Sequence, residues 1–230
     1  MVHPDGVHSG GMAGETDGAL VLTYPFTGRW LARNSPARRV PSHGTHLMGT
    51  TYAIDFIAVD ERGRSAPWTW RAAVATEAPD GFVGFGVPIL APCTGRVVVA
   101  HDGEPDHEAR RSQLTLVPYA LRQAERLRGG PAAVAGNRVV IALGPAGPFV
   151  LLAHLRRGSV RVSVGDHVGE GAVLGACGNS GNSTQPHVHV QVTDGIEWER
   201  CRGLPLAFRG ADGARVPGES EIVSVGPPAG

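Results

Sequence analysis

The sequence predicts an all-β domain with one short inserted helix and long loops. Three observations carry that expectation. Apolar, β-branched runs of roughly four to eight residues recur at a spacing of about ten. Between them stand 33 glycines and 18 prolines without a collagen period, the composition of many tight turns. Hydrophobic residues make up 42% of the 230, which supports a core and excludes a disordered chain. No apolar run approaches bilayer length, so no transmembrane segment is expected.

The elements follow in order. Residues 1–18 are rich in Gly, His and acids and read as a flexible tail. ALVLTYPF, from Ala19 to Phe26, reads as a first strand, and 27–46 as an ordered irregular loop. TYAIDFIAV, Thr51 to Val59, is dense in β-branched and aromatic residues and reads as a central strand. An insertion with WTW at 68–70 occupies about 61–85. GVPILAPCTGRVVVA then gives a short strand, a turn and a strand over Arg96–Ala100. A second insertion spans about 103–135, with a helix expected from near Pro118 to the Gly129–Gly130–Pro131 stop. NRVVIAL, PFVLLAHL, SVGDHVGEGAVLGACG and HVHVQVTD supply the remaining β segments, which close the domain near 209. Residues 210–230 are Gly/Pro-rich and read as a tail.

Charge and composition narrow the function. Twenty-one acids balance 21 bases, so no bulk attraction draws the chain to nucleic acid or anionic membranes. Every one of those bases is arginine, and without lysine the chain cannot be a biotinyl or lipoyl carrier, use a P-loop or form a Schiff base. Cys93, Cys177 and Cys201 are odd in number and lack CxxC spacing, which argues against a disulfide framework or a cysteine zinc site. The N-terminus shows no secretory pattern, so the sequence leaves localisation open.

His187 and His189 flank one valine in an apparent strand, so their imidazoles share a face while Val188, Val190 and Val192 take the other. His154 ends another strand, and Asp55 sits inside an apolar one, where a carboxylate needs a partner or a metal. His43 and His46 lie upstream; His101, His107 and His167 read as surface residues. Two histidines and a carboxylate suit zinc with an open fourth position, the arrangement of hydrolytic sites. Further histidines nearby suit proton transfer and oxyanion stabilisation.

The stretch Gly136–Val192 contains AHL, a V-x-x-G-x-x-V-x-x-G-x-x-L-G turn set, GNSGNST and P-H-x-H. With PILAPCTGRVVVA upstream, it resembles the lysostaphin-type (LytM-like) zinc endopeptidases that cut peptides of bacterial peptidoglycan. The match covers about 40–60, 86–102 and 136–195. It implies an antiparallel, open barrel-like β-sandwich, one zinc per chain and a peptidoglycan peptide as substrate. It further implies Asp55 and His189 as zinc ligands, with His154 and His187 as the catalytic pair. In the family the first ligand stands in H-x-G-x-D; here Thr51 occupies that position, four residues before Asp55. His43, in the PSHGT turn, is the preferred first ligand, and His46 is the alternate. A cell-wall enzyme must leave the cytoplasm, whereas another peptide substrate would allow a cytoplasmic location. The rival reading is an inactive relative that binds or regulates at the cell wall. Asn34 could contact substrate, Cys177 is read as packing, and Trp68, Trp70 and Tyr119 could wall a peptide groove.

Overall fold

The computed structural model describes residues 18–111 and 130–227. The expected helix beyond Pro118, with Tyr119, and the first 17 residues lie outside them. Fourteen strands and two short helices carry the fold among the described residues. The first strands are β1 (Leu20–Leu22), β2 (Gly28–Arg33) and β3 (Ile54–Ala58). Helix α1 (Trp70–Val74) follows in the first insertion, then β4 (Pro88–Leu90) and β5 (Gly95–His101). Helix α2 (Gly130–Ala135) leads into β6 (Asn137–Ala142), β7 (Phe149–Leu155), β8 (His167–Val168) and β9 (Val173–Ala176). The chain ends with β10 (Val188–Thr193), β11 (Gly203–Leu204), β12 (Leu206–Gly210), β13 (Gly213–Arg215) and β14 (Ile222–Val225).

The main sheet is antiparallel and runs β14-β2-β3-β10-β7-β6-β5-β8, with β11 added beside β10. Two small sheets, β1-β12-β13 and β4-β9, cover one of its faces. Strand alternation decides what each face becomes. Ile54, Phe56, Val139, Ile141, Val150, Leu152, Val188, Val190 and Val192 point into the core, where Leu22, Ile89, Leu174, Leu206 and Phe208 meet them. The next residues along the same strands, Asp55, Val140, Leu151, Ala153, His189 and Gln191, take the opposite face. Burying such side chains is the main favourable term of the fold. The aromatic centre is a stack of Phe26 on Trp30 at 4.4 Å, with Phe56 edge-on to Phe26 at 4.9 Å.

The expected strands near 51–59, 86–102, 137–143, 148–155 and 187–194 all form. Two readings are corrected. Residues 27–46, read as an irregular loop, contain β2, whose Trp30 and Ala32 are buried while Arg29 and Arg33 are exposed. Residues 210–230, read as a tail, contain β13 and β14, and β14 pairs with β2 at the edge of the main sheet. In β2 and β14 apolar residues stand on both faces, Leu31 beside Arg29 and Arg33, and Ile222 beside Ser224, so a local hydrophobic alternation is weak. The three cysteines are free thiols; Cys177 is fully buried in the core, where burial pushes its thiol up. Among the described residues, no helix is long and apolar enough to cross a membrane.

Candidate metal centre

The polar face of β3 and β10 builds the site. In their antiparallel register Asp55 lies directly opposite His189. The Asp55 Oδ1 stands 2.8 Å from His189 Nδ1 and 3.7 Å from His187 Nε2. Its Oδ2 accepts from Asn34 Nδ2 at 2.7 Å and lies 3.2 Å from His43 Nε2. His43, Asp55 and His189 therefore offer three ligand atoms within 4.8 Å of one another. His46 is not among them; its Nδ1 lies 3.1 Å from the Thr51 hydroxyl. Thr51 itself belongs to the 3-10 segment Leu47–Tyr52, in which Met48 and Gly49 have left-handed backbones. That kinked segment, which carries Thr51, separates β3 from the loop of His43, and the loop brings an imidazole to Asp55.

The hydrogen bonds around the ligands test whether a cation fits. Gln191 Nε2 donates to the Met48 carbonyl at 3.0 Å, which leaves its Oε1 to accept from His189 Nε2 at 2.9 Å. A neutral His189 thus turns the lone pair of Nδ1 toward the carboxylate. The Ser42 hydroxyl donates to the Thr50 carbonyl and so accepts from His43 Nδ1 at 3.0 Å. That leaves the lone pair of His43 Nε2 facing Asp55 as well. Two imidazole lone pairs and a carboxylate converge, an arrangement that a positive ion or a proton must satisfy. Burial pushes the Asp55 carboxyl up, but the His43, His187 and His189 imidazoles beside it, where they carry a proton, outweigh burial and hold it well below the carboxylate range. Burial pulls His189 down, and its contacts with Asp55 more than reverse this. The residues present therefore fit a divalent metal with nitrogen and oxygen ligands.

Gln191 was not singled out from sequence, yet it shares the face of His189 at i+2, where strand alternation would have found it. Its amide fixes the His189 ring. We expect Gln191→Leu to weaken metal affinity about 10- to 100-fold while leaving the melting curve of the metal-free protein in place, read by competition with a chelating dye.

The two other histidines stand at the edge of the same group. His154 and His187 ring centroids are 4.6 Å apart. Each donates its Nδ1–H to a backbone carbonyl, His154 to Ser180 at 2.9 Å and His187 to Gln185 at 2.8 Å. Both rings so keep Nε2 basic. Strand parity would send His154 into the core beside Leu152, but its φ of +63° turns it off the ladder, and it lines the cleft instead. Such a backbone costs about 1–2 kcal/mol for a side-chain-bearing residue. Burial, reinforced by the neighbouring His187 and His189, holds His154 well below its ordinary value; burial lowers His187 too, against the pull of Asp55.

The Ser180 carbonyl that holds His154 is itself fixed by a close backbone crossing. Gly181 has a φ of +69°, and a Cβ there would meet Gly136 N at 2.4 Å and Val134 O at 2.7 Å. His107 Nε2 donates to the Gly181 carbonyl at 2.6 Å, so this histidine, read as a surface residue, braces the turn. Gly181→Ala is expected to destabilise the protein by about 2 kcal/mol or more, measured as a shifted urea midpoint.

The cleft over His43, Asp55 and His189 has a volume of about 520 Å³ and includes Val134, Ala135, Leu151, Ala153 and Trp198 in its wall. Trp68 and Trp70, expected as groove walls, are largely exposed and do not line it. Trp198 does, and sequence gave no periodic signal for it.

Residues 120–199 match the model of Peptidase family M23. That span includes His154, His187 and His189. Several solved structures are similar. The catalytic domain of the prophage-encoded M23 protein EnpA from Enterococcus faecalis is 19% identical, with 66% of this chain and 73% of that one covered at a TM-score of 0.37. The catalytic domain of lysostaphin from Staphylococcus simulans is 16% identical, with 70% and 86% covered at 0.37. The M23 metalloprotease pseudoalterin, described as from the deep sea, is 11% identical, with 90% and 95% covered at 0.42. No curated protein matches the chain.

Proposed function

We propose that this chain is a zinc-dependent endopeptidase that hydrolyses peptide bonds in peptidoglycan stem or cross-bridge peptides. The observation that carries the reading is the convergence of His43, Asp55 and His189, with His154 and His187 at the edge of the same cleft. The M23 match over 120–199 supports the same chemistry. His43, Asp55 and His189 would hold one zinc per chain, and zinc, when bound, acidifies water and polarises a scissile carbonyl.

The protein groups divide the remaining tasks. Burial keeps His154 neutral at pH 7, so its Nε2 accepts the proton of the attacking water. His187 would stabilise the developing oxyanion once its Nε2 has taken up a proton: Asp55, 3.7 Å from that nitrogen, favours the protonated ring against burial, and the Nδ1–H is held by the Gln185 carbonyl. Asn34 holds the Asp55 carboxylate from the side away from β10. A peptidoglycan substrate would place the working enzyme outside the cytoplasm.

The test is elemental analysis of dialysed protein, followed by incubation with purified peptidoglycan and titration of new amino groups. About one zinc per chain and a rise in amino groups supports the reading. Zinc without cleavage of peptidoglycan or of any peptide would favour a wall-binding module instead.

A further inference from the structure

The cleft continues past the metal group. Beyond Asp55 and His187 a second hollow of about 390 Å³ opens, and Asn34, Asp55 and His187 belong to both. The two hollows differ in chemistry. The first is walled largely by small and apolar side chains on one side, Ala135, Leu151, Ala153 and Trp198. The second contains Arg33, Arg110 and Arg111, and its one carboxylate among the described lining residues is Asp55, already turned toward His43 and His189.

The three arginines are held in different ways. Arg111 is a strut: its Nε and Nη2 donate to Glu77 at 2.7 and 2.6 Å, and Nη2 also reaches the Pro67 carbonyl. Its charge is thereby balanced. Arg33 shares Glu219 with Arg38, at 3.2 and 3.8 Å, so two guanidiniums face one carboxylate there. Arg110 is fixed along the wall by its backbone N–H, which donates to the Thr184 carbonyl at 2.7 Å, and its Nη1 donates to the Glu108 carbonyl. Arg33 is set by the sheet, in register with Asp55 itself. A rigid strand and a pinned loop thus bring positive charge to one side of the place where a bond would be cut.

Building on the peptidase reading, we propose that this second hollow binds a carboxylate of the substrate peptide on one side of the scissile bond, through Arg33 and Arg110, while the apolar hollow takes a short side chain on the other. Guanidinium forks match carboxylates in shape as well as charge. The chain then selects peptides by an acidic group beside a small apolar one, and its specificity is separate from the metal.

Binding without turnover tests this. Two sets of capped alanine hexapeptides, carrying glutamate or glutamine at each position in turn, are titrated into zinc-loaded His154→Ala protein by calorimetry. The glutamate peptide should bind about tenfold tighter than its glutamine twin at one position. In the background of Arg33→Gln with Arg110→Gln that ratio should fall toward one, and lysine at both positions should restore part of it. Equal binding of every pair, no binding of any peptide, or a ratio that survives the double glutamine variant overturns the proposal. Hydrolysis of the same peptides by the wild type is scored separately. A glutamate preference without cleavage would keep the carboxylate site and sink the peptidase reading.

Discussion

Asp55→Ala protein is expected to emerge from dialysis without zinc, while His46→Ala protein retains it. The carboxylate stands between His43 and His189 and is the group that makes their converging lone pairs a cation site. Without it, two neutral imidazoles remain, and zinc sites of that kind normally have three protein ligands. His43→Ala and His189→Ala should lose the metal for the same reason, whereas His46 is turned to Thr51 and contributes nothing to the group. Elemental analysis of the four variants beside the wild type decides the matter. Loss of zinc on changing His46, or full retention on changing His43, would assign the first ligand to the wrong histidine.

His154→Ala and His187→Ala should do the opposite: keep about one zinc per chain and lose about 100-fold or more in kcat. Neither imidazole belongs to the three-ligand group, and each is oriented by a backbone carbonyl that the substitution leaves in place. The pH profile separates them further. His154 must be neutral to take a proton, and burial has moved its titration well below 6.5. The acid limb of kcat/KM in the wild type should accordingly fall below that ordinary histidine value. A variant at either position that turned over peptide at the wild-type rate would falsify the assignment of that residue.

Much of this centre is legible in the sequence. Asp55 stood out because a carboxylate in YAIDFIAV has no apolar reason to be there, and His187 and His189 because a two-residue spacing on a strand puts both on one face. What escaped was whatever depends on partners distant in sequence. The strand β2 has only Trp30 and Ala32 to mark its inner face, and it is stabilised by β14, about two hundred residues further on. The approach of His43 to the metal group is settled by Ser42, Thr50 and the left-handed Met48–Gly49 kink, none of which leaves a periodic trace. PFVLLAHL marks His154 as the end of a strand, but the reversed backbone that brings it to the cleft has no signature there.

The long-range pairing of β2 with β14 also has a meaning for synthesis. Asn34 follows β2 directly, and both flanks of it are tied to residues 217–221: Ser35 Oγ donates to the Pro217 carbonyl and Ser35 N–H to Glu219, while Ala32 N–H at the end of β2 donates to the Glu221 carbonyl. On the ribosome, His43 and Asp55 are made early, but His189 comes far later and the clamp on the Asn34 turn later still. A nascent chain cannot assemble the cleft by local folding, because its contacts close the largest loops of the fold. Assembly of the cleft thus waits until the stretch through β14 has emerged, an order of events imposed by topology.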